Sequence, residues 1–297
     1  MSDNFVKLVE VGPRDGLQNE KNPVSVQTKV DLINRLSDCG FRSIEAGAFV
    51  SPKWVPQMAS SDLVFNQIHR QAQISYPMLV PNEKGLELAL EAGVKEIAVF
   101  TAASNAFCLK NINCTIDESL EKFENVIKKA RQNEIKVRGY VSTIVACPYS
   151  GKVKEDVVLD VSKQLINMGV YEVSLGDTIG VGTIGDIERI LDKILPEIKH
   201  NKLALHLHDT YGQALANIAK GLEMGIRVFD TSVGGLGGCP YAKGATGNVA
   251  SEDVAYMLNG MGYKTDINLD KLIKTSHWIC KEIGRENGSK VARAKSL

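Results

Sequence analysis

The chain alternates between short runs with strand-like polarity and longer segments whose apolar residues recur at helical spacing. Eight runs predict strands, at residues 6–11, 42–46, 73–80, 96–101, 136–143, 171–175, 202–207 and 227–233. Helical spacing is clear at residues 25–38, 119–131, 157–168 and 183–195. Because period-2 and period-3.6 patterns take turns from end to end, the sequence indicates repeated βα units and a parallel sheet.

Eight βα units without a linker rich in Pro, Gly or Ser predict one domain over residues 1–297, an α/β fold of the (β/α)8 (TIM) barrel type. The alternative is a doubly wound open sheet, which usually carries a glycine-rich phosphate turn after its first strand. Here that strand leads into GPRDG, so the barrel is favoured. A further helical pattern at residues 270–283 and a tail to residue 297 predict an extra C-terminal helical segment, which covers the barrel or forms a subunit contact.

Composition and charge limit the classes of binding partner that the protein is expected to have. The 297 residues include 35 basic and 35 acidic side chains, and this zero net charge gives no electrostatic reason to expect nucleic acid or an anionic membrane as a partner. No apolar run approaches the roughly 20 residues of a membrane-spanning helix. The six cysteines show no CxxC spacing, and the first residues enter a strand pattern without the features of a leader peptide. We therefore expect a cytoplasmic protein with reduced thiols.

Polar residues gather at the carboxyl ends of the predicted strands, where the active site of a barrel lies. They are Arg14 and Asp15 after the first strand, Glu45 in the second, Asp177 at the sixth, His206 and His208 in the seventh, and Cys239 and Asn248 after the eighth. Because the carboxyl ends of all eight strands lie at one end of the barrel, we expect these residues to form one site.

The seventh strand, LALHLH, carries two of the five histidines in the chain. Side chains alternate between the two faces of a strand, so the three leucines face the helices while His206 and His208 point into the barrel. Two imidazoles on one face are either core side chains bonded to their neighbours or ligands of one metal ion. The acidic residues at the ends of other strands favour the metal ion.

The candidate metal ligands are Asp15, His206, His208 and Asn248. Asn248 follows the eighth strand, which lies beside the first in a closed barrel, so its carbonyl oxygen can join the set. Nitrogen and oxygen ligands without thiolate suit octahedral Mg²⁺ or Mn²⁺. Zn²⁺ stays an alternative, because it also binds histidine and carboxylate.

Three of the four remaining candidates have two interpretations each. Arg14 either stabilises an oxyanion that forms on a substrate or pairs with an acid at the surface. Glu45 lies within a strand and needs a partner, for which Arg14 is the natural choice. Asp177 either accepts a hydrogen bond from a metal-bound histidine or caps the next helix. Cys239 follows GGLGG, so its protonated thiol donates a proton from a closing loop, or the segment is an ordinary turn.

Six segments resemble the 3-hydroxy-3-methylglutaryl-CoA lyases: VGPRDGLQNE, FVSPKWVPQMA, KNINCTIDES, SLGDTIGVGT, HLHDTYGQALANI and GGLGGCPYAKGATGN. The likeness runs from about residue 6 to the C-terminal helix. HxHDTYG and the RDG after the first strand recur across a wider group of metal-dependent barrels, which includes the 2-isopropylmalate and homocitrate synthases. SPKWVPQM and GGLGGCPYA narrow the resemblance to the lyases.

The resemblance implies an enzyme that cleaves (S)-3-hydroxy-3-methylglutaryl-CoA to acetyl-CoA and acetoacetate, in leucine breakdown and ketone-body formation. It implies an acyl-CoA substrate, a homodimer, and Mg²⁺ or Mn²⁺ at the four candidate ligands. In that family the arginine that matches Arg14 supports the enolate of the leaving acetyl-CoA, and we expect Glu45 beside it at the substrate. The resemblance also makes Cys239 a catalytic residue and gives His206 a part in proton transfer.

One of the departures from the family pattern bears on the substrate. Ala48 stands before the Phe of FVSPKW, where the family usually has Ser. The missing hydroxyl leaves open a related lyase with a shifted acyl-CoA substrate. Two other classes compete: a Claisen-type acyltransferase of the same barrel group, which generally needs additional domains, and a metal-binding barrel without turnover. The set of Arg14, Glu45 and Cys239 argues against the last.

Overall fold

The computed structural model describes residues 4–238 and 247–295 of the chain. The strands are β1 Lys7–Glu10, β2 Ser43–Ile44, β3 Gly47–Ala48, β4 Met78–Leu79, β5 Glu96–Ala102, β6 Lys136–Ser142, β7 Ala146–Cys147, β8 Gly151–Lys152, β9 Glu172–Asp177, β10 Leu203–Leu207 and β11 Val228–Thr231. The α-helices are α1 Val26–Ser37, α2 Ser61–Gln67, α3 Glu83–Glu91, α4 Asn105–Ile112, α5 Ile116–Gln132, α6 Glu155–Met168, α7 Ile184–Ile194, α8 Ala214–Glu223, α9 Ser251–Gly260, α10 Leu269–Ile283 and α11 Lys290–Ala294. None of the helices in this part of the chain has the length and apolar character that crossing a bilayer requires.

Nine of these strands form one parallel sheet in the order β2, β1, β11, β10, β9, β6, β5, β4, β3. The two end strands, β2 and β3, are separated in the chain only by Glu45 and Ala46. Across this gap the Glu45 amide donates to Glu10 O at 2.8 Å, and the Ala46 amide donates to Pro77 O at 2.9 Å. Strands β2 and β3 are therefore one interrupted strand, and the sheet closes into the predicted eight-stranded barrel. The open-sheet alternative is wrong.

Local chemistry explains where the observed elements differ from the predicted ones. The strand predicted at residues 73–80 is reduced to β4, because Pro77 has no N–H for the ladder. Helix α5 begins before the predicted residue 119, because Thr115 and Glu118 form a capping box. The Thr115 hydroxyl accepts from Glu118 N at 3.2 Å, and the Glu118 carboxylate accepts from Thr115 N at 2.7 Å.

Helices α10 and α11 form the predicted extra C-terminal segment. They pack against α1, α9 and the 3-10 turn Val233–Gly235 that follows β11. The Arg35 guanidinium lies 4.4 Å from the centre of the Trp278 ring. The Asp253 carboxylate accepts from Ser289 Oγ at 2.6 Å and from Val291 N at 2.8 Å, which fixes α11 on α9. The segment therefore covers the barrel beside the end of β11.

Candidate active site and metal centre

Strand β10 presents the two histidines to the barrel interior, as its alternation predicts. The leucines at positions 203, 205 and 207 are buried on the other face. His206 and His208 are only 9% and 6% exposed, and their Nε2 atoms lie 3.3 Å apart. His206 Nε2 also lies 3.8 Å from Asp15 Oδ2. One ligand atom from each of Asp15, His206 and His208 lies within 4.8 Å of the others, which makes this group a candidate metal site.

The charge states of Asp15 and His208 fit a divalent cation. Burial lowers the pKa of His208 to about 4, so its ring is neutral near pH 7. Burial would raise the pKa of Asp15, but the positive charge of Arg14 and the two histidines outweigh it and hold the pKa at about 2. The Asp15 carboxylate and the neutral His208 ring are suitable donors for Mg²⁺, Mn²⁺ or Zn²⁺. Burial would lower the pKa of His206, but the hydrogen bond to Asp230 and the charge of Asp15 outweigh it and raise this pKa, so a protonated His206 must lose its proton to bind a cation.

Asn248 joins this group from the far side of the glycine-rich segment. Its Nδ2 donates to Asp15 Oδ2 at 2.7 Å and to Leu236 O at 3.1 Å. Its backbone forms an isolated bridge with His208. The structure thus brings together all four residues that were predicted as ligands.

A π-helical turn at Gly12–Gly16 carries Arg14 and Asp15 to the site. Its wide hydrogen bonds run from Gly16 N to Val11 O at 3.1 Å and from Leu17 N to Gly12 O at 2.9 Å. The turn needs glycine at position 12, where a Cβ atom would lie 2.5 Å from Glu10 Oε1. Glu10, which the sequence did not single out, accepts from Gly12 N at 2.8 Å and so holds the turn to β1.

Arg14 binds Glu45, the partner that the sequence predicted, and it also binds Asp15. Its Nε donates to Glu45 Oε2 at 2.7 Å, and its Nη1 donates to Asp15 Oδ1 at 2.7 Å. Tyr140 OH also donates to Glu45 Oε2, at 3.3 Å. Among the described residues nothing bonds to Glu45 Oε1, although this atom is buried. The arginine is therefore fixed at the rim, and one buried carboxylate oxygen of Glu45 beside it has no partner among the described residues.

Asp177 lies at the end of β9, but its contacts are with the following loop. Its Oδ2 accepts from Gly182 N at 2.8 Å, and burial raises its pKa to about 6. Paired residues of adjacent strands share a face, and Asp177 pairs with Leu207, which faces the helices. Asp177 thus contacts the loop that precedes α7 rather than a histidine, whereas the residues that cap α7 are Thr183 and Asp186.

Asp230 on β11 occupies the place beside the histidine instead. It pairs with His206 across the sheet, and its Oδ2 lies 3.2 Å from His206 Nδ1. Arg138 binds the same carboxylate with two N–H groups, from Nη2 to Oδ1 at 2.8 Å and from Nη1 to Oδ2 at 3.1 Å. Sequence reasoning missed both residues. The argument that a charged group within a strand needs a partner, which drew attention to Glu45, applies equally to them.

Cys239 and residues 240–246 lie outside the described part of the chain. The described residues on either side are held close to the site. Asn19 Nδ2 donates to Gly238 O at 3.1 Å, and Asp209 N donates to Gly247 O at 2.9 Å. A Cβ atom at Gly237 would lie 2.6 Å from Asn248 Nδ2, so glycine is needed where the backbone passes this amide. The catalytic role predicted for Cys239 stays a prediction.

Fold and site together define a class of protein: parallel barrels that prepare a site for a divalent cation at the carboxyl rim and fix a positive charge beside it. Within that class the chain belongs to the HMGL-like family, whose family model matches residues 5–279.

Comparison with known proteins agrees with this membership. The 3-hydroxy-3-isohexenylglutaryl-CoA/hydroxy-methylglutaryl-CoA lyase of Pseudomonas aeruginosa is 56% identical over 289 residues, which cover 97% of this chain and 96% of the relative. The cytoplasmic 3-hydroxy-3-methylglutaryl-CoA lyase of Homo sapiens is 55% identical over 290 residues, which cover 98% of this chain and 78% of the relative. The structure of an HMG-CoA lyase from Acinetobacter baumannii in complex with coenzyme A and 3-methylmalate is 37% identical, has a TM-score of 0.95, and covers 100% of this chain and 98% of that chain. The family predicted from the motifs is confirmed, and so is the prediction of a lyase.

Proposed function

We propose that the protein is a carbon–carbon lyase, dependent on a divalent cation, that cleaves (S)-3-hydroxy-3-methylglutaryl-CoA to acetyl-CoA and acetoacetate. The observation that carries the proposal is the group of ligand atoms on Asp15, His206 and His208, with Arg14 bonded to Asp15 at its edge. The relatives named for this reaction favour it over Claisen-type acyl transfer and over a barrel without turnover. The complex of a relative with coenzyme A supports an acyl-CoA substrate.

In this proposal Asp15, His206, His208 and Asn248 hold Mg²⁺ or Mn²⁺. A cation held there would lower the pKa of the tertiary hydroxyl of the substrate. The carboxylate and amide oxygens of Asp15 and Asn248 favour these hard cations, while the two imidazoles keep Zn²⁺ as an alternative.

The side chains around the cation transfer protons and stabilise the charge that develops. By the resemblance, His206 also takes part in proton transfer, and the Asp230 carboxylate lies at its Nδ1. As the C–C bond breaks, the Arg14 guanidinium offsets the negative charge that develops on the thioester enolate. Glu45 holds that guanidinium through Nε. Cys239, by the resemblance, gives a proton to the enolate carbon and so releases acetyl-CoA.

A cleft beside the glycine-rich segment offers room for part of the coenzyme. It has a volume of about 320 Å³, and its lining includes Asn19, Lys21, Gly238 and Arg285. Lys21 brings positive charge to the mouth of this cleft, which suits the phosphates of coenzyme A. We propose that the thioester enters the barrel from this side.

The deciding experiment follows acetoacetate formation from (S)-3-hydroxy-3-methylglutaryl-CoA with Mg²⁺ or Mn²⁺, and repeats the assay with a chelator. We expect cleavage that stops when the cation is removed. If no 3-hydroxy-3-methyl acyl-CoA is cleaved with either cation, the lyase proposal is wrong. Condensation of acetyl-CoA with a 2-oxo acid in the same preparation would instead support the acyltransferase.

A second candidate, a lyase for a larger 3-alkyl substrate, is favoured by Ala48 and by the name of the Pseudomonas aeruginosa relative. Ala48 is buried in β3, and its amide donates to Ser61 Oγ at 3.2 Å. We expect Ala48→Ser to lower KM for (S)-3-hydroxy-3-methylglutaryl-CoA by about 2- to 10-fold, the effect of one hydrogen bond, with kcat little changed. Steady-state kinetics with this substrate and with 3-hydroxy-3-isohexenylglutaryl-CoA measures both effects. Unchanged KM values for both substrates would show that position 48 does not contact the acyl group.

We further propose that the protein acts in the cytoplasm, as a homodimer, in leucine degradation and acetoacetate formation. The cytoplasmic human relative supports the location, and the resemblance supports the dimer and the pathway. Light scattering on the purified protein tests the dimer directly.

A further inference from the structure

We propose that Asp230 is a positioning residue that holds His206 in the tautomer whose Nε2 lone pair faces Asp15 and His208, and thereby raises the affinity of the site for a divalent cation. The inference rests on the metal site of the proposed function. It concerns how that site is prepared, and it brings in a residue that does not contact the cation.

The first step is the hydrogen bond at the far side of the ring. His206 Nδ1 lies 3.2 Å from Asp230 Oδ2. An ionised carboxylate only accepts hydrogen bonds, so the ring must place its N–H at Nδ1. In a neutral imidazole the other nitrogen, Nε2, then carries the lone pair. This atom lies 3.3 Å from His208 Nε2 and 3.8 Å from Asp15 Oδ2.

The second step is that the side chain of Asp230 is itself held in one orientation. Arg138 binds both of its oxygens, at 2.8 and 3.1 Å, and Ser174 Oγ donates to Oδ2 at 2.7 Å. All three side chains are at most 1% exposed, so water does not compete for these bonds. The carboxylate is held in one orientation, with Oδ2 towards the histidine.

The third step is that Arg138 is itself held by further hydrogen bonds, within its own strand and from β9. Arg138 Nε donates to Glu172 Oε1 at 2.8 Å, and Nη1 donates to Tyr140 OH at 2.9 Å. Lys7 Nζ lies 3.3 Å from Glu172 Oε2. These bonds link strands β1, β6, β9 and β11 beneath the metal site. The barrel interior thus presets the orientation of His206 before any cation binds, which reduces the cost of ordering the ligand.

The competing interpretation is purely structural. Buried ion pairs can hold strands together without any influence on a neighbouring site. On that view, loss of the Asp230 charge lowers the stability of the barrel and leaves the affinity for the cation unchanged. The two interpretations therefore differ in metal binding and in the tautomer of His206, both of which are measurable without substrate.

The experiment compares the wild type with Asp230→Asn, a change that keeps the side-chain size and removes the charge. Free Mn²⁺ is measured by electron paramagnetic resonance during titration of the metal-free protein. We expect the Mn²⁺ dissociation constant to rise by about 10- to 100-fold, the usual effect of losing the support of a metal-bound histidine. The matched control is Glu96→Gln, a buried strand carboxylate that accepts from Ser75 Oγ and from Tyr171 OH. It should lower the melting temperature without changing Mn²⁺ affinity.

A second measurement keeps the proposal testable if Asp230→Asn does not fold. Nitrogen-15 spectra of histidine side chains report the tautomer, and with five histidines in the chain the signals of His206 can be assigned by substitution. In the neutral, metal-free wild type we expect the proton on Nδ1. Ser174→Ala, which removes one donor to Asp230, should weaken Mn²⁺ binding by a smaller factor than Asp230→Asn.

An unchanged Mn²⁺ constant in Asp230→Asn, or a His206 proton on Nε2 in the wild type, would overturn the inference. Absence of Mn²⁺ binding in the wild type would instead refute the metal site of the proposed function. Because the tautomer is measured without metal, it separates these two failures.

Discussion

Replacement of Arg14 by glutamine should lower kcat for cleavage of (S)-3-hydroxy-3-methylglutaryl-CoA by about 10²- to 10³-fold, the usual effect of removing one donor that stabilises a developing oxyanion. KM should change much less, because the negative charge that Arg14 offsets develops mainly in the transition state. The measurement is steady-state acetoacetate formation at saturating Mg²⁺.

The same substitution should also destabilise the protein, by about 1–3 kcal/mol, because it removes the charged partner of the buried Glu45. Burial already raises the pKa of Glu45 against the effect of Arg14, so the carboxyl of the variant can take up a proton. Arg14→Lys keeps the charge, but one ammonium group cannot match the fork that binds Glu45 and Asp15 together. We expect this variant to recover only part of kcat.

The control for Arg14 is Arg42→Gln. Arg42 pairs with Asp266 at 2.5 Å, but the two side chains are 45% and 51% exposed, so the pair contributes less than about 1 kcal/mol. Its loss should leave kcat unchanged. A kcat for Arg14→Gln within about threefold of the wild type would mean that the guanidinium does not stabilise the transition state.

The sequence predicted the parts of the site that depend on local alternation and on barrel closure. Period 2 in LALHLH is enough to place His206 and His208 on one face, and their Nε2 atoms do face each other. Closure of the barrel makes the eighth strand a neighbour of the first, which brings Asn248 to 2.7 Å from Asp15. A buried carboxylate within a strand needs a positively charged partner, and Glu45 accepts a hydrogen bond from Arg14.

Strand register cannot be predicted from local sequence. The register decides which acidic residue lies beside His206. Asp177 and Asp230 both stand on strands that adjoin β10. Asp177 pairs with Leu207 and so faces the helices, whereas Asp230 pairs with His206 and faces the interior. A change of one residue in the register would exchange these faces. The register is determined by the packing of the whole barrel rather than by either segment. For this reason the sequence drew attention to Asp177 and passed over Asp230.

The π-helical turn shows a second limit of sequence reasoning. GPRDG reads as a loop, and nothing in its composition predicts i→i+5 hydrogen bonds. The turn depends on the buried Glu10, whose carboxylate accepts from Gly12 N, Val233 N and Ser251 Oγ. Two of these three donors come from more than 200 positions away in the chain. The path that brings Arg14 and Asp15 to the rim therefore forms only in the closed barrel.

Replacement of His208 by alanine should weaken Mn²⁺ binding by at least about 100-fold, because losing a ligand costs more than losing its support. His208 Nε2 lies 3.3 Å from His206 Nε2, and its neutral ring would supply a lone pair to the cation. Activity at fixed Mn²⁺ should fall in proportion to the occupied sites and recover partly at high Mn²⁺. Titration of free Mn²⁺ and of activity in the same samples measures both quantities.

Thermal unfolding separates this result from simple loss of packing. At a Mn²⁺ concentration about 100 times the dissociation constant, binding stabilises the wild type by roughly 2.7 kcal/mol and raises its melting temperature. His208→Ala should lose most of this increase, while His69→Ala, at an exposed position, should keep it. If the two histidines are only core side chains, His208→Ala will instead lower the melting temperature equally with and without Mn²⁺, and its Mn²⁺ affinity will match that of the wild type. That pattern would show that the cation does not bind at β10, and it would also refute the proposed role of Asp15 and Asn248 as ligands.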